Sequence, residues 1–405
     1  MYTREQTKTI YVGGVSNGVP VGGGHPVTIQ SMTNTDTRDV ESTVKQIRSL
    51  IDCGCEIVRV AIPDMAAAHA LREIKLKFTP TERSTSPERS TSPVRSAIPI
   101  VADIHFDYRL ALASIESGAD KLRINPGNIG GTDKVRQVTE AAKRAGIPIR
   151  IGVNGGSLEK DLYKKYGGVT AEALCESIIN HIKMLEDQSF YDIALSIKAS
   201  DIPLTLEAHR LLCETVNYPL HIGITEAGTP YRGTIKSAAG IGALLAMGIG
   251  DTVRVSLTGD PEEEVKVAKE ILQAFGLRRF GPEIVSCPTC GRCDVDLPAI
   301  AKKVEDYCDG INLPITVAVM GCVVNGPGEA READFGIAYT KDYGVIFQKG
   351  EVVEKIPLIS NDGLIVSPKN TNRASKNSLS DIYIDHLADA LITKIAAFCP
   401  ETKIS

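Results

Sequence analysis

What the sequence lacks narrows the field first. No run approaches the ~18 uninterrupted apolar residues of a membrane span. The opening stretch MYTREQTKTIYVGGVSNGVP has neither an apolar signal core nor an Arg/Ser-rich amphipathic pattern. A cytoplasmic protein with no membrane partner is therefore expected. Positive charge is not in excess either: 45 Lys and Arg stand against 50 Asp and Glu, a formal net charge of −5. That excludes a general attraction to nucleic acid or anionic membrane surfaces. Any anion site must come from local clustering of Arg and Lys. No G-x-G-x-x-G joins a strand to a helix, which argues against a dinucleotide-binding open sheet. Tryptophan is absent altogether, whereas glycine is plentiful at 36, which suits tight turns and close backbone approaches.

What is present is a regular alternation. β-branched runs stand at 27–32, 56–62, 99–104, 121–127, 148–154, 192–198, 220–225 and 251–257, and an amphipathic helical stretch follows each. Several helical stretches end in the Gly expected just past a helix, at Gly54, Gly118, Gly146, Gly248 and Gly276. Eight strand–helix units in one run predict an α/β protein built on a (β/α)8 TIM-type barrel. A doubly wound open sheet is the structural alternative. One segment breaks the rhythm: TPTERSTSPERSTSPVRSA at 79–97 repeats ERSTSP and reads as a flexible surface insertion at the barrel's N-terminal face, away from the chemistry.

The strand ends carry residues that a core does not want. Arg59 lies on the second strand, Asp103 and His105 at the end of the third, and Arg123 with Asn125 on the fourth. Arg150 and Asn154 lie on the fifth, Ser196 and Lys198 on the sixth, Glu226 after the seventh, and Arg254 and Ser256 on the eighth. Many are spaced i, i+2, which puts both on one face of a strand. All lie toward the C-terminal ends, where such barrels bind substrates. Cations from several strands meeting at one mouth call for a multiply charged anion, since guanidinium forks match phosphate oxygens. Asp103, His105 and Glu226 are the candidate proton-transferring groups.

Of ten cysteines, Cys53, Cys55, Cys175, Cys213, Cys308 and Cys399 stand alone and read as plain buried thiols. The other four lie in a second, smaller α+β domain: Cys287 and Cys290 as C-x2-C, Cys293 three residues further, and Cys322 in GCVVNGPGE. The second C-x2-C pair of a structural zinc site is missing. Soft thiolates leave an iron–sulfur cluster or zinc as the candidates, with Glu329 as a possible fourth, weaker ligand. The expected domains are 1–281 and 282–405.

IQSMTNTDT, VADIHF, LRINPGN, RIGVNGGSLE, LSIKAS, GITEAG, VRVSLTGDP, SCPTCGR and GCVVNGPGEA together resemble the 4-hydroxy-3-methylbut-2-enyl diphosphate synthase family of the non-mevalonate isoprenoid pathway. The resemblance runs from about residue 29 to 330. It implies a barrel joined to a cluster domain, with one [4Fe–4S] cluster per subunit held by Cys287, Cys290, Cys322 and Glu329. It implies substrate contacts from Arg59, His105, Arg123, Asn125, Arg150, Asn154, Lys198, Arg254 and Ser256, with Asp103 and Glu226 in the same pocket. The implied reaction is reductive ring opening of 2-C-methyl-D-erythritol 2,4-cyclodiphosphate, with electrons from ferredoxin or flavodoxin. A head-to-tail homodimer is implied, the barrel of one protomer facing the cluster domain of its partner. The 79–97 insertion departs from the family pattern, and Cys293 is not taken as a ligand. The rival expectation is a non-redox barrel transferase that binds a phosphorylated substrate and carries a zinc-stabilised tail.

Overall fold

The computed structural model describes residues 4–78, 98–293, 295–309, 311, 313–323, 328, 330–340, 343–357 and 376–398, with side chains of the last segment described from 384. The 79–97 insertion, Glu329 and Cys399 lie outside the described residues. The chain divides into two compact units, Met1–Arg278 and Arg279–Ser405.

The first unit opens with an antiparallel hairpin of β1 (Ile10–Val12) and β2 (Val19–Val21). Eight parallel strands follow: β3 (Thr28–Met32), β4 (Ile57–Ala61), β5 (Ile100–Asp103), β6 (Lys121–Ile124), β7 (Ile149–Asn154), β8 (Ile193–Lys198), β9 (His221–Ile222) and β10 (Thr252–Val253). Their order is β8-β7-β6-β5-β4-β3-β10-β9. A parallel bridge between Leu195 and Leu220 joins the two ends into a barrel. The helices alternate as expected: α1 (Val40–Asp52), α2 (Met65–Leu76), α3 (Tyr108–Glu116), α4 (Thr132–Ala145), α5 (Lys160–Tyr166), α6 (Ala171–Glu186), α7 (Ile202–Cys213), α8 (Pro230–Ala246) and α9 (Pro261–Ala274). Asp39, Asp64, Asp107, Thr170 and Asp201 cap five of them, each side chain accepting a backbone N–H of the first turn. The predicted stop glycines do adopt positive φ, from 62° at Gly276 to 93° at Gly54, a conformation costly for other residues.

The hairpin is absent from the sequence reading, and it closes the barrel. Ile10, Val12, Val19 and Val21 form one buried cluster with Ile57 of β4, Val101 of β5 and Ala194 of β8. Each of the four hairpin side chains is at most 2% exposed, and such burial stabilises by roughly 1.5–3 kcal/mol per side chain. The cluster also fixes strand parity. Ile57, Val101 and Ala194 face the interior at the bottom, so Arg59, Asp103 and Ser196, two residues further on, face it nearer the C-terminal mouth.

The second unit is a five-stranded sheet of β11 (Glu283–Ser286), β12 (Thr316–Met320), β13 (Phe335–Tyr339), β14 (Tyr343–Gln348) and β15 (Glu351–Pro357) in that order. The first three strands are parallel and the last two antiparallel. One sheet face carries α10 (Leu297–Cys308) and α11 (Lys376–Phe398), with Ile300, Val304, Leu387, Leu391 and Ile395 packed on Val317, Val319 and Ile337. No described helix is long and apolar enough to cross a membrane.

Candidate active site

Asp103, at the tip of β5, is the centre of the barrel mouth. It is 3% exposed, and three groups approach it: Arg123 Nη1 at 3.3 Å, His105 Nε2 at 3.3 Å and Arg59 Nε at 3.7 Å. Burial pushes its carboxyl up. Arg59, His105 and Arg123 outweigh that and hold it well below the usual carboxylate range. Arg59 also donates to Met32 Sδ at 3.0 Å. Arg150, 1% exposed, donates to Ser196 Oγ at 3.3 Å. Arg254 lies 3.6 Å from Glu264, a buried carboxylate in the first turn of α9 that also accepts from Leu257 N–H and Ser31 Oγ.

The other cations have few protein partners. Lys198 is 6% exposed, and burial, then Arg254, Arg59, Arg150 and Arg123, push its amine well below the ordinary lysine value. Burial and the neighbouring arginines act likewise on Arg150 and lower Arg59 to about 10. Among the described residues, Arg123 Nε, Arg150 Nε and Nη2, and Arg254 Nε are buried without a hydrogen-bond partner. Two inward glycines make room for this crowd. A Cβ on Gly152 would meet Arg123 Nε at 2.7 Å, and one on Gly223 would meet Lys198 Nζ at 3.3 Å. Buried cations with spare donors are expensive. A polyanion at the mouth would supply both the charge and the acceptors.

Arg59, Asp103, Arg123, Arg150, Ser196 and Lys198 lie on strands as expected. His105, Asn125, Arg254 and Ser256 do not: their strands end at Asp103, Ile124 and Val253, so these four lie on the loops that follow. The parallel pairing of β10 is short, and its continuation is irregular. Asn125 is buried; its Oδ1 accepts from Gly127 N–H at 3.1 Å and its Nδ2 points to Ser157 Oγ at 3.5 Å. Asn154 is half-buried and its carbonyl accepts from Ser157 Oγ. Glu226 is exposed in the loop after β9, with φ of 53°, a strained value for a non-glycine residue. His105 is exposed at the rim.

Several polar residues of this barrel were not singled out from the sequence. Glu264 sits in PEEEV, where three acids in a row read as a solvated helix start. Buried His181 and half-buried Glu159 pair at 2.8 Å beside Gly127. Lys121 shares the i, i+2 signal of Arg123, and His221 begins β9.

In the second unit, Cys287 follows β11 directly. Gly321 N–H, at the end of the neighbouring β12, donates to its sulfur at 3.1 Å. Cys322 is the next residue, so two adjacent parallel strands deliver Cys287 and Cys322 to the same end of the sheet. Cys290 is exposed, on the loop between β11 and α10, and hydrogen bonds from Arg292 hold its thiol below the ordinary range. Cys293 Sγ lies 2.8 Å from where a Cβ on Gly321 would stand, and donates to Val295 C=O at 3.4 Å. All four are free thiols. Among the described residues no three His, Cys, Asp or Glu side chains converge as a metal-binding set. The donor chemistry fits an iron–sulfur group: soft sulfurs at one sheet end, one of them already receiving a backbone N–H. Of the thiols expected to be plainly buried, Cys55, Cys175 and Cys308 are, and burial pushes Cys55 and Cys175 up to about 12. Cys53 and Cys213, near helix ends, are only half-buried.

Fold and site together define a two-unit barrel protein with a polycationic mouth and a thiol-bearing mixed-sheet domain. The family model of the GcpE TIM-barrel domain matches residues 7–269, and that of the GcpE protein C-terminal domain matches 283–363. The chain belongs to the GcpE family. It is 55% identical over 349 residues to the 4-hydroxy-3-methylbut-2-en-1-yl diphosphate synthase (flavodoxin) of Caldanaerobacter subterraneus subsp. tengcongensis, spanning 86% of this chain and 92% of that protein. It is 56% identical over 353 residues to the synthase of the same name from Clostridium perfringens, spanning 87% and 95%. Among solved structures, a dihydropteroate synthase from Yersinia pestis overlaps 65% of this chain and 98% of that chain at 12% identity and a TM-score of 0.44, a likeness too slight to bear on function.

Proposed function

We infer that the chain is a reductive enzyme that converts 2-C-methyl-D-erythritol 2,4-cyclodiphosphate to 4-hydroxy-3-methylbut-2-en-1-yl diphosphate. Its curated relatives carry the product's name and name flavodoxin. The observation that carries the reading is the crowd of buried, under-partnered cations at the mouth: Arg59, Arg123, Arg150, Lys198 and Arg254, met among the described residues by two buried carboxylates, Asp103 and Glu264. The non-redox transferase with a zinc tail is set aside, because both halves of the chain match the GcpE models.

Ring opening takes up two electrons and two protons and releases water. Arg59, Arg123, Arg150, Lys198 and Arg254 hold the diphosphate, with hydrogen bonds from Asn125, Asn154 and Ser256 around it. Asp103 fixes the arginine forks before substrate arrives, so little reorganisation remains to be done on binding. His105 and Glu226, both at the solvent-facing rim, are the groups placed to hand a proton to the departing oxygen. Cys287, Cys290, Cys322 and Glu329 would hold one [4Fe–4S] cluster per subunit, which supplies electrons one at a time when bound. Flavodoxin is the donor favoured over ferredoxin, on the relatives' names. A homodimer, with the barrel of one protomer facing its partner's cluster domain, completes the reading. Phe106 at 75% and Tyr231 at 78% exposure supply apolar surface for it near the C-terminal ends of the barrel strands.

The test is anaerobic purification, iron and sulfide analysis, and turnover of the cyclodiphosphate with reduced flavodoxin. Product formation with about four irons per chain supports the reading. A colourless, iron-free chain that binds the diphosphate but never reduces it would overturn it.

A further inference from the structure

Beneath the mouth lies a second polar layer that the proposed reaction does not use. The alternation that turns Arg59 and Asp103 inward also turns Gln30 of β3, Lys121 of β6 and His221 of β9 inward. Gln30 pairs with Ile57, and Lys121 with Val101, two of the residues that meet the hairpin plug. His221 is aligned with Ser196 through the Leu195–Leu220 bridge. Lys121 and His221 are 0% exposed and Gln30 is 1% exposed. Among the described residues, Lys121 Nζ, both ring nitrogens of His221 and both amide atoms of Gln30 have no hydrogen-bond partner. Arg150, whose Nε and Nη2 are also unpartnered, acts electrostatically on both Lys121 and His221.

Charge decides what fits there. Among the described residues the carboxylates that meet inward cations are Asp103 and Glu264. Asp103 is engaged by Arg59, Arg123 and His105, and Glu264 by Arg254. Neither pairs with Lys121, Arg150 or Lys198. Below this layer the barrel is closed by Ile10, Val12, Val19 and Val21, and no described carboxylate reaches Lys121 from that side. Water could satisfy donors but would leave buried charge unbalanced. Anything larger than a few atoms would have to pass Arg59, Arg123 and Lys198 at the mouth.

We propose that the barrel interior of this protein holds a small monovalent inorganic anion of the halide class, bound by Lys121 Nζ, His221, Gln30 Nε2 and Arg150 below the mouth. The site meets the diphosphate subsite at Arg150 and is otherwise distinct from it: Lys121, His221 and Gln30 lie below the mouth, and their lack of counter-charge holds whether the mouth is filled or empty. A bound halide keeps Lys121 protonated. Without it, burial and the neighbouring arginines lower the lysine to about 7. The anion thus stiffens the floor on which Arg150 stands.

The experiment uses the full chain with its cofactor, kept anaerobic. Thermal unfolding is followed while chloride or bromide replaces gluconate at constant ionic strength; gluconate is too large to enter. The expected result is a saturable rise in midpoint with chloride and bromide. Lys121→Met should weaken the apparent halide affinity at least 10-fold, and Arg254→Gln, at the mouth, should leave it within 2-fold. Should Lys121→Met fail to fold, bromide anomalous scattering from wild-type crystals answers the same question, with a peak expected in contact with Lys121 Nζ and His221. No saturable difference between halide and gluconate, together with no interior bromide peak, overturns the proposal. So does a halide response abolished by Arg254→Gln but not by Lys121→Met, which would place the ion at the mouth. Neither of these results touches turnover, so the proposed function stands or falls separately.

Discussion

Asp103→Asn is the sharpest test of the mouth. The substitution keeps the shape and removes the charge that faces Arg123 at 3.3 Å and Arg59 at 3.7 Å. At an effective dielectric of about 20, each such contact is worth about 5 kcal/mol of attraction. Desolvation of the buried groups offsets much of it, and removing one partner of a buried ion pair costs about 3–5 kcal/mol in practice. For a unit spanning Met1–Arg278, an unfolding entropy of about 2.1 cal/mol/K per residue converts that loss into a fall in Tm of roughly 5–9 °C. The pH dependence has a definite sign. The folded carboxyl is depressed, so its contribution is complete above the unfolded value of about 3.9 and is lost as pH falls toward the folded value. The gap between wild type and variant should be flat from pH 5 to pH 8 and narrow only in stronger acid. Affinity for the anionic substrate should hold or rise, because a negative group has left the pocket. Scanning calorimetry on anaerobic protein reads the first two quantities. A variant with unchanged Tm at pH 7 would mean that Asp103 does not compensate the arginines, and the account of the mouth would fail.

Three further outcomes are expected. Arg123→Ala should weaken cyclodiphosphate binding by about 2–5 kcal/mol with iron content unchanged, read by titration calorimetry; unaltered affinity would return Arg123 to a purely structural role. Cys287→Ser, Cys290→Ser and Cys322→Ser should each lose most iron, while Cys293→Ser and Glu329→Cys keep it and Glu329→Cys loses turnover; equal iron loss in Cys293→Ser and Cys290→Ser would show the ligand set to be wrong. Val12→Ala, in the hairpin plug, should destabilise the barrel by about 1–3 kcal/mol without altering Km for the cyclodiphosphate, and a selective effect on Km would show that the plug shapes the mouth.

The barrel was legible because its signal is redundant. Eight buried parallel strands need β-branched runs, each run is followed by a helix, and five of those helices stop at a glycine with positive φ. The cations at strand ends were legible for a related reason: strand residues two apart share a face, so cations recurring near the C-terminal ends of several strands fall toward one mouth. The hairpin plug was not legible. IYV and VPV are too short to stand out, and their partners Ile57, Val101 and Ala194 are remote in sequence. Glu264 was hidden by composition, since burial alone separates it from Glu262 and Glu263 beside it. Loop geometry was also out of reach. The i, i+2 rule carried Arg254 and Ser256 onto a strand that ends at Val253, because periodicity cannot see where hydrogen bonding stops.

The cations proposed to bind the diphosphate also make the mouth a poor core. Arg123, Arg150 and Lys198 are each at most 6% exposed, and nothing in hydrophobic burial explains keeping them there. The barrel tolerates them because its stability is supplied elsewhere, by the plug beneath and the helices around. The strands hold the guanidinium and ammonium groups too rigidly to relax toward water. A charge that cannot escape to solvent lowers its cost by gaining a counter-charge. Ligand binding and relief of that cost are then one event, and the free energy released on binding reflects strain already present in the free protein. A diphosphate gains from this arrangement and a neutral isostere does not. The selectivity of the mouth therefore rests on the burial of these side chains as much as on the number of contacts they make.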